Sequence, residues 1–332
     1  MSVQITDSVA GLGGGSRSAS GSVAARMLAT NFNVNGLRTN GTLRKDEWIQ
    51  YDTAVVDVAR RRLGGVADLL SAGLRYNLTN ALGTTRLEWE KISDMDGADI
   101  TMSGISQSQN DRVVYELDSL PIPIVHKDFN INVRALEASR KTGQALDTTQ
   151  AAIAARKVSE QIETMLFNGA TVLGSAAPIY GYTTAPNRNT NSLTANWNTA
   201  TGDNIITDQL KMIEALVADN MYGPYMVYLP ADAYVHFGAD FKAGSDKTIM
   251  QRFKENPLIL DVKMSKDLDS GEVLMVQMTN DVVDMVDGLQ PTVVEWESHA
   301  GFIVHFKVLA IMVPRIRNDF LLQSGIAHFS AQ

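Results

Sequence analysis

The sequence predicts an α+β chain carrying an outlying two-stranded hairpin, and three observations support that expectation. A 3.6-residue apolar period runs through residues 147–167, long enough for a helix that spans a domain. Two stretches of alternating polarity, near residues 86–90 and 112–117, flank a polar segment at 94–111. Between residues 203 and 297 short helical and strand patterns alternate, and a nearly unbroken apolar run, Phe302–Val313, follows them. With 332 residues, 45% hydrophobic and 20% charged, the chain has the length for about two domains and the composition of a globular protein.

Several function classes fall away on composition. The chain has no cysteine, which excludes disulfides, thiolate metal sites and cysteine nucleophiles and fits a reducing cytosol. No stretch approaches the ~18–20 apolar residues of a membrane helix. The first residues, MSVQITDSVAGLGGG, have no basic region leading into an apolar one, so a secretory signal is not expected. A net charge of −8 argues against a nucleic-acid binder with a basic surface throughout. The charge is uneven, however: residues 1–45 carry +4 and the remainder −12. A basic arm is thus joined to an acidic body, and the arm reads first as a solvated tail.

In chain order, residues 1–44 form the arm. Its Gly/Ser/Ala-rich part, 8–24, buries too little apolar surface to offset ordering entropy. Gly11–Ser16 matches a phosphate loop in composition only, since no strand precedes it. Residues 45–73 read as an amphipathic helix. Asp46 is placed to cap it, Trp48, Val55, Ala59, Leu63, Val66 and Leu70 face inward, and Gly64-Gly65 bends or divides it. Residues 74–123 form the hairpin. Leu87 and Trp89 alternate with Arg86, Glu88 and Glu90, while Val113, Tyr115 and Leu117 alternate with Arg112 and Glu116. Legs of about 25 residues reach at most roughly 80 Å. An isolated two-stranded ribbon is marginally stable, so it needs a surface to lie against, and a neighbouring subunit is the natural one. Arg86, Glu88, Trp89, Glu90, Lys91, Arg112, Tyr115 and Glu116 are therefore the candidate inter-subunit contacts.

Beyond Pro121 and Pro123, alternation at Val125, Phe129, Ile131 and Val133 predicts a strand. The long helix follows, with a capping box expected from Asp147 and Gln150. Asn168-Gly169 ends it, and Ala151, Ala154, Val158, Ile162 and Met165 form its apolar stripe. Residues 176–202, rich in Thr, Asn, Gly and Ala, read as a surface loop. A helix over 207–220 is expected to turn Leu210, Ile213, Leu216 and Val217 inward. Next come a strand at Met226–Leu229, helices at 231–238 and 246–254, and strands near 258–263, 272–278, 282–286 and 292–297. Phe302–Val313 is expected to be a central strand, and 315–329 to return to the surface with one more.

The sequence offers little support for catalysis. The five histidines lack metal-ligand spacing, and His299 and His305, six apart, have no acidic partner in register. No G-x-S-x-G elbow occurs, and Gly244-Ser-Asp-Lys247-Thr248 breaks the Gly-Lys adjacency of a phosphate loop. Glu160 and Glu163, one turn apart, read as a solvated helix face, and methionines 264, 275, 278 and 285 as packing. No enzyme activity, metal or cofactor is expected.

The order of parts resembles the HK97-type major capsid protein of tailed bacteriophages, whose fold encapsulins share. SEQIETMLFNGA at 159–170 with Gly181-Tyr182-Thr183 is similar to the signature after the family's spine helix. Tyr225–Phe237 resembles the strand–helix step of its axial domain, and Phe302–Phe320 its closing peripheral strand. The resemblance covers about residues 45–330. It implies an N-arm (1–44), a helix (45–73), an E-loop (74–123), a peripheral P-domain (124–175 with 300–332) and an axial A-domain (176–299). It further implies self-assembly into hexamers and pentamers of an icosahedral shell around double-stranded DNA, held by non-specific contact, in a virion assembled in the host cytoplasm. In the family the E-loop lies over a neighbour's P-domain. Scaffolding, portal and decoration proteins would be separate partners, and no membrane is involved. An encapsulin enclosing a cargo enzyme is the alternative; the length and the Gly/Ser-rich arm favour the phage. One member cross-links through an E-loop lysine; Lys91 is a lysine on this hairpin, but no motif assigns it a partner.

Overall fold

A computed structural model describes residue 50, residues 53–59, 63–93 with scattered positions to 102, 112–142, 148–172, and 178–331 apart from 243, 245, 300 and 301. The N-arm, Trp48, Asp147 and most of 94–111 lie outside the described residues.

Helical residues 53–59 and helix α1 (Gly64–Ser71) are separated at Leu63, so the amphipathic segment is divided where the Gly-Gly pair begins. Val55, Ala59, Leu63 and Val66 are buried as their spacing requires. Strand β1 (Arg75–Asn77) leads to the hairpin, β2 (Arg86–Ile92) and β3 (Tyr115–Pro121). Strand β4 (Val125–Asn132) then passes directly into helix α2 (Val133–Thr142), so Val133 opens a helix instead of closing a strand. Helix α3 (Thr149–Asn168), about 30 Å long, is the expected spine. Thr148 stands at its N-cap without a side-chain bond, and Gly169 ends it at φ 73°. All five stripe residues are buried.

The remaining elements are β5 (Asn189–Ser192), α4 (Gly202–Ala218), β6 (Tyr225–Leu229), α5 (Ala231–His236), α6 (Ile249–Lys254), β7 (Ile259–Met264), β8 (Glu272–Gln277), β9 (Val283–Ser298), β10 (Ile303–Ile316) and β11 (Ile326–Ser330). They build a four-stranded sheet, β1-β9-β10-β4, and a five-stranded sheet, β5-β11-β8-β6-β7, with β2-β3 forming a ribbon apart. The spine α3 lies against β10 and β4. One core joins α1, the spine and both sheets; a second fills the five-stranded unit; a third sits at the ribbon root. Among the described residues, no helix is long and apolar enough to cross a membrane.

Several expectations are corrected. The two strands expected at 282–286 and 292–297 are one strand, β9, because Gln290 and Pro291 drop out of the ladder at a bulge. That strand pairs with β10 in the four-stranded sheet, whereas β11 inserts between β5 and β8 of the other sheet. Pairing therefore places 283–298 in the sheet of β4 and 326–330 in the sheet of β6 to β8, so strand pairing crosses the boundary expected between 299 and 300. Segment 176–202 is no surface loop: Tyr182 and Trp197 are fully buried. Trp197 packs on Phe237 and Phe253 at 5.6 and 5.8 Å and donates Nε1–H to the buried Asp208 at 3.2 Å. Helix α4 starts five residues earlier than expected, capped by Thr201. Its rotation turns Leu210 and Val217 outward and Ile205 and Met212 inward.

Glu163 is also corrected. It is buried, and its carboxylate accepts from the amides of Gly65 (2.6 Å) and Val66 (3.3 Å), capping α1 from a distance of nearly 100 residues in the chain. A Cβ at Gly65 would stand 3.0 Å from the Phe167 ring, so the glycine permits this approach. On the other side of α1, Asp68 accepts from Tyr228 at 3.1 Å and pairs with Lys263, tying the same short helix to the five-stranded sheet. Glu160 remains on the solvated face with Lys157.

Burial pushes the Glu163 carboxyl up from 4.5 to about 7, against the opposing pull of the two amides. The fold thus favours the protonated form. Its contribution is full below pH 4.5 and is lost as pH rises through about 7. Glu163→Gln is expected to flatten that limb of a stability–pH profile from urea unfolding; an unchanged limb contradicts the assignment. Trp197→Ala is expected to lower stability by about 3–5 kcal/mol in the same measurement.

Candidate assembly interface

The ribbon pairs Arg86 with Pro121 through Ile92 with Tyr115. This register gives it two unlike faces. On one, Leu87, Trp89 and Lys91 stand beside Leu120, Asp118 and Glu116; on the other, Glu88, Glu90 and Ile92 stand beside Ser119, Leu117 and Tyr115. The two expected apolar rows therefore lie on opposite faces, because a one-residue change of register moves a strand's whole row across the sheet.

The first face turns to the chain's own body. Leu87 and Leu120 join the root cluster with Ile122, Val286 and Ile311. Trp89 is half-buried, 5.4 Å from the Arg315 guanidinium carbon, and Tyr76 of β1 lies 4.7 Å from the same carbon. Lys91 pairs with Asp118 at 2.8 Å and donates to Asn318 Oδ1 at 2.7 Å.

Arg315 is itself held by a buried ion pair. It stands opposite Asp284 across β9 and β10, donates through Nε to Oδ1 at 2.8 Å, and also binds Oδ2 through Nη2. Arg317 Nη2 adds a third bond to the same carboxylate at 2.9 Å. Both members of the main pair are only 4% exposed, so each offsets the cost of burying the other's charge.

The second face turns to solvent. Ile92, Tyr115 and Leu117 are 57%, 64% and 63% exposed and adjacent in register. Three large apolar side chains thus stand open in one row on a thin ribbon. Of the eight candidates, Arg86, Glu88, Glu90, Arg112, Tyr115 and Glu116 are exposed, whereas Trp89 and Lys91 find partners within the chain. Ile92, Leu117, Arg315, Asp284 and Asn318 were missed. The one available signal was two arginines, 315 and 317, just past the apolar run Phe302–Val313.

Elsewhere, Ser298 Oγ lies 2.9 Å from His299 Nδ1 and 2.6 Å from His305 Nε2, and His305 stacks on Trp296. Thr248, the end of the rejected phosphate-loop pattern, closes a capping box with Gln251. Among the described residues, no group of three or more His, Cys, Asp or Glu is placed to hold a metal.

A spine helix, an α/β unit and an outlying ribbon define the HK97-type shell fold. The chain is similar to the virus-like particle protein of Pyrococcus furiosus, at 17% identity over 85% of this chain and 99% of that one, with a TM-score of 0.60. It is likewise similar to the capsid of Myoviridae Phage XM1, at 13% identity over 79% and 91%, with a TM-score of 0.62. In sequence it is 28% identical over 197 residues to the type 1 encapsulin shell protein EncA of Myxococcus xanthus (strain DK1622). That match spans 58% of this chain and 62% of the relative's length. The chain belongs to DUF6260, a family of unknown function, whose pattern it matches over residues 35–328.

Asp284→Ala is expected to lower subunit stability by about 3–5 kcal/mol, because it strands the buried Arg315. The double change Tyr115→Ser and Leu117→Ser is expected to alter stability by no more than about 0.5 kcal/mol per site. Denaturant midpoints of both variants check this contrast.

Proposed function

We propose that this chain is a major shell protein that assembles with copies of itself into a closed icosahedral head around double-stranded DNA, and that its role is structural, not catalytic. The observation that carries this reading is the open apolar row of Ile92, Tyr115 and Leu117 on a ribbon held by its opposite face. A neighbouring copy offers the surface that the ribbon's own body does not. The candidates on the exposed part of the ribbon, with the hairpin tip, are its inter-subunit contacts. The DNA reading is supported by the charge distribution: an acidic body repels packed DNA from the wall, while the basic arm makes non-specific contact with it. Scaffolding, portal and decoration proteins are separate partners in this reading, and the site of assembly is the host cytoplasm.

A second reading, an encapsulin compartment enclosing a cargo enzyme, draws on the sequence similarity to EncA. Negative-stain microscopy with sedimentation velocity on the chain expressed alone tests both. Closed shells or capsomer rings are expected; a monodisperse monomer or dimer across salt and concentration overturns both readings. Particles purified from the native source separate the two, by nuclease-protected DNA or by an enclosed protein.

Deleting residues 94–111 is expected to leave a folded subunit with a near-parental circular dichroism melt and little assembly. If the deletion unfolds the subunit, the assignment of this segment to inter-subunit contact is wrong. Truncating residues 1–24 is expected to spare the melt as well.

A further inference from the structure

The ribbon is attached along one face by contacts that change from apolar to polar outward from the body. Leu87 and Leu120 are embedded in the root cluster. Two residues further out, Trp89 lies on the Arg315 guanidinium; two more, and Lys91 reaches Asn318. Beyond these, Ile92 and Met95 are more than half exposed. A cleft of about 380 Å³ opens beneath, lined among others by Trp89, Lys91, Tyr180, Pro186, Arg317 and Leu322. A ribbon packed flush on the body would leave no such space, since protein interiors pack at close to crystal density.

We infer that Trp89 and Lys91 are positioning residues that set the angle at which the ribbon leaves the body, with Arg315 as their fixed post. Arg315 cannot yield, because Asp284 grips it in a fork and burial holds both. It therefore presents a stationary cation over the Trp89 ring. A ring held by a cation–π contact slides more readily than an interdigitated core side chain, and Lys91 closes the contact with a point charge on a flexible stem. The cleft leaves room for the ribbon to swing when either contact is lost. Pivoting at its root, a strand of seven residues rising about 3.3 Å each is a lever of about 23 Å, so a small rotation there becomes a displacement of several ångströms at the outer end. The inference rests on the shell reading for its consequence: ribbon angle would set how sharply neighbouring copies curve.

The chain has no cysteine, so two spin labels can be placed without removing any native residue. Glu90→Cys puts one on the ribbon's open face, and Lys157→Cys puts the other on the exposed side of the spine. Labelled chains are diluted among unlabelled full-length ones, so that pulsed electron spin resonance reads only the distance within one chain. A narrow distribution is expected in the parent. In Trp89→Ala with Lys91→Ala it broadens and its mean shifts, and Trp89→Phe with Lys91→Arg restores it. Lys91→Met alone, which keeps the stem and is mild for folding, is expected to give a partial shift. Thermal melts establish that each variant is folded at the temperature used. An unchanged distribution in the folded double variant, or in Lys91→Met should the double variant not fold, overturns the inference while leaving the shell reading intact. Failure of the parent to assemble overturns the shell reading and leaves the distance measurement to decide the positioning role. Where particles form, the double variant is expected to give a wider spread of diameters; a shifted ribbon with unchanged diameters overturns the link to curvature.

Discussion

Asp284 and Arg315 face each other across the two central strands of the four-stranded sheet, both almost wholly buried, and much of the ribbon's placement depends on that pair. Removing two charges from water is costly, and the cost is offset only when geometry is good and further bonds are made. Here the fork-to-carboxylate contact and the third bond from Arg317 meet that condition. Once fixed, the guanidinium carbon lies over the rings of Tyr76 and Trp89, one before the hairpin and one on it. A polar interaction within the sheet thereby becomes the platform on which an otherwise marginal ribbon rests.

A second buried carboxylate, Glu163, plays a matching part on the spine. Glu163 projects from the spine to the amide end of α1, and Asp68 on α1 reaches Tyr228 and Lys263 of the five-stranded sheet. The short helix is thus tied to the spine on one side and to the five-stranded sheet on the other. Burial pushes the carboxyl on the spine side of that tie up to about 7.

The shell reading joins these features to an economy of surface. The body also leaves single large apolar side chains open, Val235, Phe302 and Leu321 among them, but on the ribbon Ile92, Tyr115 and Leu117 stand side by side in solvent while Leu87 and Leu120 on the other face are covered. Such asymmetry is expected of an element that is held by its own chain and completed by another. The candidate list drawn from alternation found most of the exposed ribbon residues. It also included Trp89 and Lys91, whose partners are internal, because alternation identifies a face and not what covers it.

Local chemistry by itself determined the spine helix, its glycine stop, the division of the first helix at Gly64-Gly65, the outlying ribbon and the buried closing strand. Each depends on near-neighbour periodicity or backbone freedom, which a single sequence displays. Tertiary structure alone decided the rest. Trp197 lies in a stretch of Thr, Asn and Ala that reads as surface, and only the ring pocket made by Phe237 and Phe253 buries it. Glu163 reads as a solvated carboxylate until α1 arrives with its free amides. The exchange of β9 and β11 between sheets, and the ribbon register that separates Trp89 from Leu117, are long-range pairings. Their energies come from partners remote in the chain, so no local pattern records them.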